Sequence, residues 1–192
     1  MLTYDDAKHE YRFDGQRIVS ITQAIASGGL TDSRWYNEVA TWRGSVVHAC
    51  CEYDDQGDLA ESTVPDDAVG YLAAWRAAKQ ALEVKFTEVE QLHYHPIYRY
   101  GGRPDRFGVL PNGDRVVIEL KTGQSAKWHA VQLAAQANFL PDPRTVRRFS
   151  VILGNDRKFA MHEYTKAAYS TDWQCYLACL SIHNWRGING SN

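Results

Sequence analysis

One apolar stretch interrupted by charge restricts the fold of this chain more than any other feature. From Gly101 to Gly123 it reads GGRPDRFGVLPNGDRVVIELKTG. Asn112-Gly113 is a strong turn signal between two runs rich in Phe, Val and Ile, so the segment predicts a β-hairpin. A hairpin this apolar belongs in a core. Yet Asp105 stands at the head of its first strand, and Glu119 and Lys121 lie inside the second. Asp105 and Glu119 are nearly equidistant from the turn and so fall roughly opposite each other. Cross-strand neighbours have Cβ atoms only about 5 Å apart.

Two carboxylates that close repel unless a cation lies between them. Mg²⁺ or Mn²⁺ is the simple remedy, because hard divalent ions prefer carboxylate oxygens. Leu120 points into the core and leaves its carbonyl as a further ligand. Lys121, two residues after Glu119, points to the same face. An ammonium there can ready a metal-bound water or stabilise charge on a phosphate under attack. The plain alternative is an exposed Glu119–Lys121 ion pair on an edge strand. Pro104-Asp105, the turn spacing and the apolar flank together favour the metal reading.

The rest of the chain suits such a site. Its 192 residues suggest one domain with a real core. Three parts are expected: an N-terminal hairpin with helices (1–85), a central sheet and helix (86–165) and a closing helix (166–192). No apolar run approaches the ~20 residues of a membrane helix. The N-terminus has no basic-then-apolar leader, so a cytoplasmic protein is expected. Net charge is -2, but residues 1–70 hold 5 basic against 13 acidic residues, and residues 71–192 hold 16 against 10. The basic C-terminal part suits an anionic partner, although an asymmetry of this size often has no function. Cys50, Cys51, Cys175 and Cys179 read as reduced core thiols; their spacing argues against an iron–sulfur cluster.

Periodicity predicts the order ββ-α-α-βββ-α-ββ-α. A turn at Asp14-Gly15 makes a small hairpin, and Ser20 or Thr22 caps the helix after it. Helical spacing of Trp35, Val39, Trp42, Val46, Val47 and Cys50 predicts a long or broken helix ending near Gly57. A second helix starts at Pro65-Asp66-Asp67. SAKWHAVQLAAQANFL is helical up to Pro141 and Pro143, TVRRFSVILGNDRKFAMHEY is a hairpin, and STDWQCYLACLSIHNW closes the chain. The fold class is α/β, a mixed central β-sheet flanked by helices with N-terminal helical additions.

GRPDR, VVIELKTG and QLAAQ together resemble the PD-(D/E)xK nuclease superfamily, in its RecB-like branch, which includes phage exonucleases. RGSVVHACCE is similar to the branch's Gly-x-x-x-His helix, VEQLHYH to the strand before the PD motif, and VQLAAQA to its Gln-x-x-x-Tyr helix. The resemblance runs from about Tyr11 to Phe139. It implies a restriction-endonuclease-like core and a Mg²⁺- or Mn²⁺-dependent deoxyribonuclease. Asp105, Glu119, Lys121 and Gln132 would be catalytic, and His48, Asp105, Glu119 and the Leu120 carbonyl would hold the metal. It implies DNA as partner, at ends, single strands or flaps, in phage-type recombination, replication or repair, inside a host cytoplasm if phage-encoded. A recombination partner protein or further copies of the chain are also open partners. Exonuclease action is the leading expectation; a flap-type endonuclease and a non-catalytic DNA-binding module are the rivals. Gln136 occupies the family's tyrosine position, which puts that residue's DNA contact in doubt.

Several residues have two readings. His48 is a metal ligand or an ordinary core histidine. Glu52, one helical turn on, and Glu90 are supporting carboxylates near the metal or solvated side chains; Glu88 and Glu90 share one strand face by alternation. Gln132 and Gln136 share a helix face and can hold a phosphate or brace the strand. Arg103, Arg106, Lys127, Arg147 and Arg148 are candidate phosphate contacts. Trp128 can stack on an unpaired base or pack into the core.

Overall fold

The computed structural model describes residues 1–5, 8–31 and 38–189. Among these the architecture is the expected α/β one, with mixed sheets flanked by helices. There are two sheets rather than one central sheet, each of five strands. The N-terminal sheet is built from β1 (Leu2–Asp5), β2 (Glu10–Phe13), β3 (Gln16–Ser20), β5 (His93–His95) and β6 (Tyr100–Gly102), in the order β1-β2-β3-β6-β5. The other is built from β4 (Lys85–Val89), β7 (Arg106–Val109), β8 (Arg115–Lys121), β9 (Arg147–Leu153) and β10 (Phe159–Tyr164), in the order β10-β9-β8-β7-β4. Each contains one parallel pair, β3–β6 and β8–β9.

Local chemistry explains the punctuation. Asp14 and Gly15 both take positive φ, 49° and 78°, which lets a two-residue loop join β2 to β3. Ser20 caps α1 (Ile21–Ser27) in a reciprocal capping box with Gln23. Helix α2 (Glu38–Gln56) carries His48; Trp35, at the start of the predicted helix, lies outside the described residues. Pro65 precedes α3 (Asp66–Leu82), whose first turn holds Asp66 and Asp67. Helix α4 (Trp128–Ala137) crosses over between the parallel strands β8 and β9, and α5 (Tyr169–Asn189) closes the chain.

Strand β8 is covered on both faces, and its alternation sorts its side chains. Val116, Ile118 and Leu120 join the core under α2 and α3, while Val117 joins a second cluster with Leu133, Ala134 and Ala137 of α4. Glu119 and Lys121 share the face of Val117, and so face α4. The cysteines are free: Cys50 and Cys51 lie in the α2–α3 cluster, and Cys175 and Cys179 lie on α5. No helix among the described residues is long and apolar enough to cross a membrane.

Helix α3 meets the turn between β9 and β10 at Gly70, where an added Cβ would overlap the carbonyl of Asn155. Backbone cannot move aside as a side chain tip does. Gly70→Ala is expected to cost about 1–3 kcal/mol, read as a lowered thermal midpoint. An unchanged midpoint would place the helix farther from that turn.

Candidate active site

The β7–β8 register decides what the hairpin can do. The tight turn predicted at Asn112-Gly113 is a three-residue loop, Pro111–Gly113, in which Gly113 N–H donates to Leu110 O and Leu110 N–H donates to Asp114 O. Gly113 adopts a φ of 86°, as expected for the left-handed residue of this loop type. Arg106 consequently pairs with Ile118. One step further along, Asp105 falls opposite Glu119. A two-residue loop would have set Asp105 opposite Leu120 and turned the two carboxylates to different faces. Leu120 N–H donates to Asp105 Oδ2 at 2.6 Å, which ties the carboxylate to the neighbouring strand.

Strand β4 adds a third carboxylate. Val89 pairs with Arg106, and Glu90 N–H donates to Asp105 O at 3.0 Å. Glu90, Asp105 and Glu119 thus continue one row across three adjacent strands. The alternation that put Glu88 and Glu90 on one face fails here. The register shifts between Phe86 and Glu88, and Glu90 takes a φ of 52°. A left-handed non-glycine residue costs free energy and persists where its surroundings demand it. Glu88 turns away to His93 Nε2, 2.6 Å off, while Glu90, its side chain 5% exposed, turns into the site instead of out to solvent.

His48 descends from α2 onto this row. Its Nδ1 lies 3.5 Å from Asp105 Oδ1 and 3.8 Å from Glu90 Oε1. One ligand atom from each of His48, Glu90 and Asp105 lies within 4.8 Å of the other two. The charges respond as a coupled group. Burial works against a charged His48, but the charge and hydrogen bond of Asp105, with those of Glu90, lift its pKa to about 10. Burial also works against a charged Asp105, yet His48 and Lys121 hold it below the usual carboxylate range. Burial and then the neighbouring Asp105 push Glu90 upward. An imidazole between two carboxylates is a donor set suited to a divalent ion, which would displace the histidine proton.

Glu119 lies beside this group with both oxygens engaged. Its Oε1 accepts from Lys121 Nζ at 2.8 Å and from Gln132 Nε2 at 2.7 Å, and its Oε2 accepts from Gln136 Nε2 at 2.6 Å. Lys121 Nζ also donates to Gln132 Oε1 and lies 5.3 Å from the Trp128 ring centre. The two glutamines therefore brace the strand. Gln136, 2% exposed beneath Glu119, is not placed to contact DNA, which corrects that expectation. Trp128 packs partly against the cluster of α1 and α5, and its ring meets the Lys121 ammonium. Its neighbour His129 is buried, and burial followed by Lys121 lowers its pKa to about 4.

The predicted arginines divide. Arg103 stands at the rim, its side chain 38% exposed, with Nε 3.1 Å from Glu90 Oε2. Lys127 is exposed at the start of α4. Arg106 and Arg148 cannot reach a phosphate, because both are fully buried. Arg106 pairs with Asp55 at 2.6 Å and Glu90 at 3.3 Å, and Arg148 binds Asp172, Ala130 O and Thr165 O. Arg147 is held by both oxygens of Glu163. It also pairs with Val116, five residues down β8 from Lys121, or roughly 16 Å away. Glu52 accepts from Gln56 on its own helix and stands outside the three-residue group.

Two residues escaped the sequence reading. The side chain of Asp55 is fully buried and receives Trp75 Nε1, Lys79 and Arg106. Tyr11 packs on Gly101 near Arg103, Glu90 and Glu119, with burial raising its hydroxyl pKa. A lone tyrosine in a short strand carries no signal of this placement, and the acidic run that contains Asp55 reads as surface.

No protein-family model and no curated protein matches the sequence. Among solved structures, the chain is similar to SSO0001, with 19% identity over 82% of this chain and 83% of that one, at a TM-score of 0.34. It is also similar to LHK-Exo in complex with dAMP, with 16% identity over 90% and 93% and a TM-score of 0.36. A second structure of that protein, an alkaline exonuclease from Laribacter hongkongensis, matches with 14% identity over 90% and 93% at 0.34. With likenesses this loose, the case for function rests on the site itself.

Proposed function

We propose that this chain is a metal-dependent deoxyribonuclease acting on DNA ends or single strands. The observation that carries the reading is the convergence of His48, Glu90 and Asp105 from a helix and two strands, with Glu119 and Lys121 adjoining. His48, Glu90 and Asp105 would hold Mg²⁺ or Mn²⁺, with Glu119 and the Leu120 carbonyl as further ligands. When bound, the ion supplies positive charge against the scissile phosphate and a water of lowered pKa. Lys121, steadied by Gln132, holds the attacking water, and its ammonium opposes the charge that develops on the phosphate. Gln136 keeps Glu119 from swinging away. Arg103 and Lys127 meet the backbone at the rim, and Trp128 supports Lys121.

Linear DNA labelled at either end should be degraded from its ends with Mn²⁺ or Mg²⁺ and left intact in EDTA. Closed circular single-stranded DNA should survive, since only an endonuclease can open it. Lys121→Ala should slow the reaction about 10²–10³-fold. Cleavage in EDTA, or a variant as fast as the parent protein, would overturn the proposal; opened circles would convert it to an endonuclease.

A further inference from the structure

A large cavity lies apart from the carboxylate row. It is an open groove of about 1030 Å³ between α1, β3, the turn before β6 and α5. Its cationic lining comes from Arg17 at the start of β3 and Arg99 in the turn, with the imidazole of His183 on α5 beside them. Gln23, Ser27 and Asn184 add polar groups. Among the described residues that line it none is a carboxylate, although the whole chain carries a net charge of -2. The cations are only lightly occupied. Arg17 Nε lies 3.4 Å from Glu10 with its side chain 64% exposed, and exposed Arg99 donates to Gln16 at 3.2 Å. His183 hydrogen-bonds Ser27, and burial followed by Arg17 lowers its pKa. Ile97, 78% exposed, and Tyr98, 38% exposed, form an apolar lip.

The groove and the candidate active site are joined by one strand. Arg99 immediately precedes β6 and Arg103 immediately follows it; Arg103 touches Glu90. Four residues of extended chain span roughly 13 Å. At about 3.4 Å per nucleotide, the rise of a stacked duplex strand, this is at most about four nucleotides, since an unpaired strand is more extended. The mixed lining suits an unpaired strand: cations for its phosphates and an aromatic and aliphatic lip for exposed bases.

Resting on the nuclease reading, we propose that this groove binds the backbone of single-stranded DNA a few nucleotides from the scissile phosphate. The test is fluorescence anisotropy of labelled oligothymidylates of 4 and 15 nucleotides in EDTA, where no cleavage interferes. The parent protein should hold the longer oligonucleotide more tightly. Arg17→Gln/Arg99→Gln, at two exposed positions, should weaken binding of the 15-mer about tenfold or more and lower the salt slope by about 1.4, since each single-strand phosphate contact contributes about 0.7. Arg99→Glu alone should weaken it in the same direction. Unchanged affinity and slope would overturn the groove, as would equal arginine dependence for blunt duplex DNA. A protein that binds through these arginines yet cuts no DNA with Mn²⁺ would sink the nuclease reading and leave the groove standing.

Discussion

Asp105→Asn should reduce Mn²⁺-dependent cleavage of linear DNA on the order of 10³-fold while leaving the chain folded. The amide keeps an oxygen for the Leu120 N–H, so the link between β7 and β8 survives. What is lost is the negative charge at the centre of the row, between His48 on one side and Lys121 on the other. A metal's contribution to stabilising charge in a transition state is several kcal/mol, and each 1.36 kcal/mol is tenfold in rate. A second measurement separates lost metal from lost fold. Mn²⁺ should raise the thermal midpoint of the parent protein, because a ligand that binds only the native state stabilises it, and the shift should shrink or vanish in Asp105→Asn. A variant that cleaves within tenfold of the parent, or that gains the same midpoint shift, would remove Asp105 from the metal site.

The second large effect concerns stability. Asp55→Ala should cost about 3–5 kcal/mol in denaturant unfolding, because it leaves the fully buried Arg106 guanidinium without its nearest counter-charge. It also removes the acceptor of Trp75 Nε1 and one partner of Lys79. Arg106 lies over the rings of Trp75 and Phe86, so an apolar side chain has a place there. Asp55→Ala/Arg106→Met should therefore recover part of the loss, since exchanging a buried pair for apolar groups is often neutral. The recovered protein should still cleave poorly, because Arg106 also holds Glu90 from beneath. A cost below about 1 kcal/mol for Asp55→Ala would mean that Arg106 finds other support. The pair ties α2, which carries His48, to β7, which follows Asp105. Fold stability and site geometry are coupled at that point.

Some of this was legible in the residues alone. The period of two along VVIELK separated Leu120 from Glu119 and Lys121 correctly, because side chains on a strand must alternate. The spacing of Gln132 and Gln136 put both on one face of α4, and Ser20 with Gln23 announced a helix start. Each is a local constraint, enforced within a few residues by backbone geometry. Whether Asp105 met Glu119 or Leu120 depended on one loop residue, and only the closed hairpin with Gly113 in its left-handed conformation selected the register. Glu90 entered the row through a strand irregularity that the alternating sequence conceals. Arg106 and Arg148 look like any surface cation until the layers close over them, since burial is set by residues far away in the chain. The sequence by itself announced the main strands and helices and, within regular elements, which way a side chain points. The tertiary structure decided which carboxylates share a row and which charges are sealed inside, because both depend on contacts between segments that periodicity does not describe.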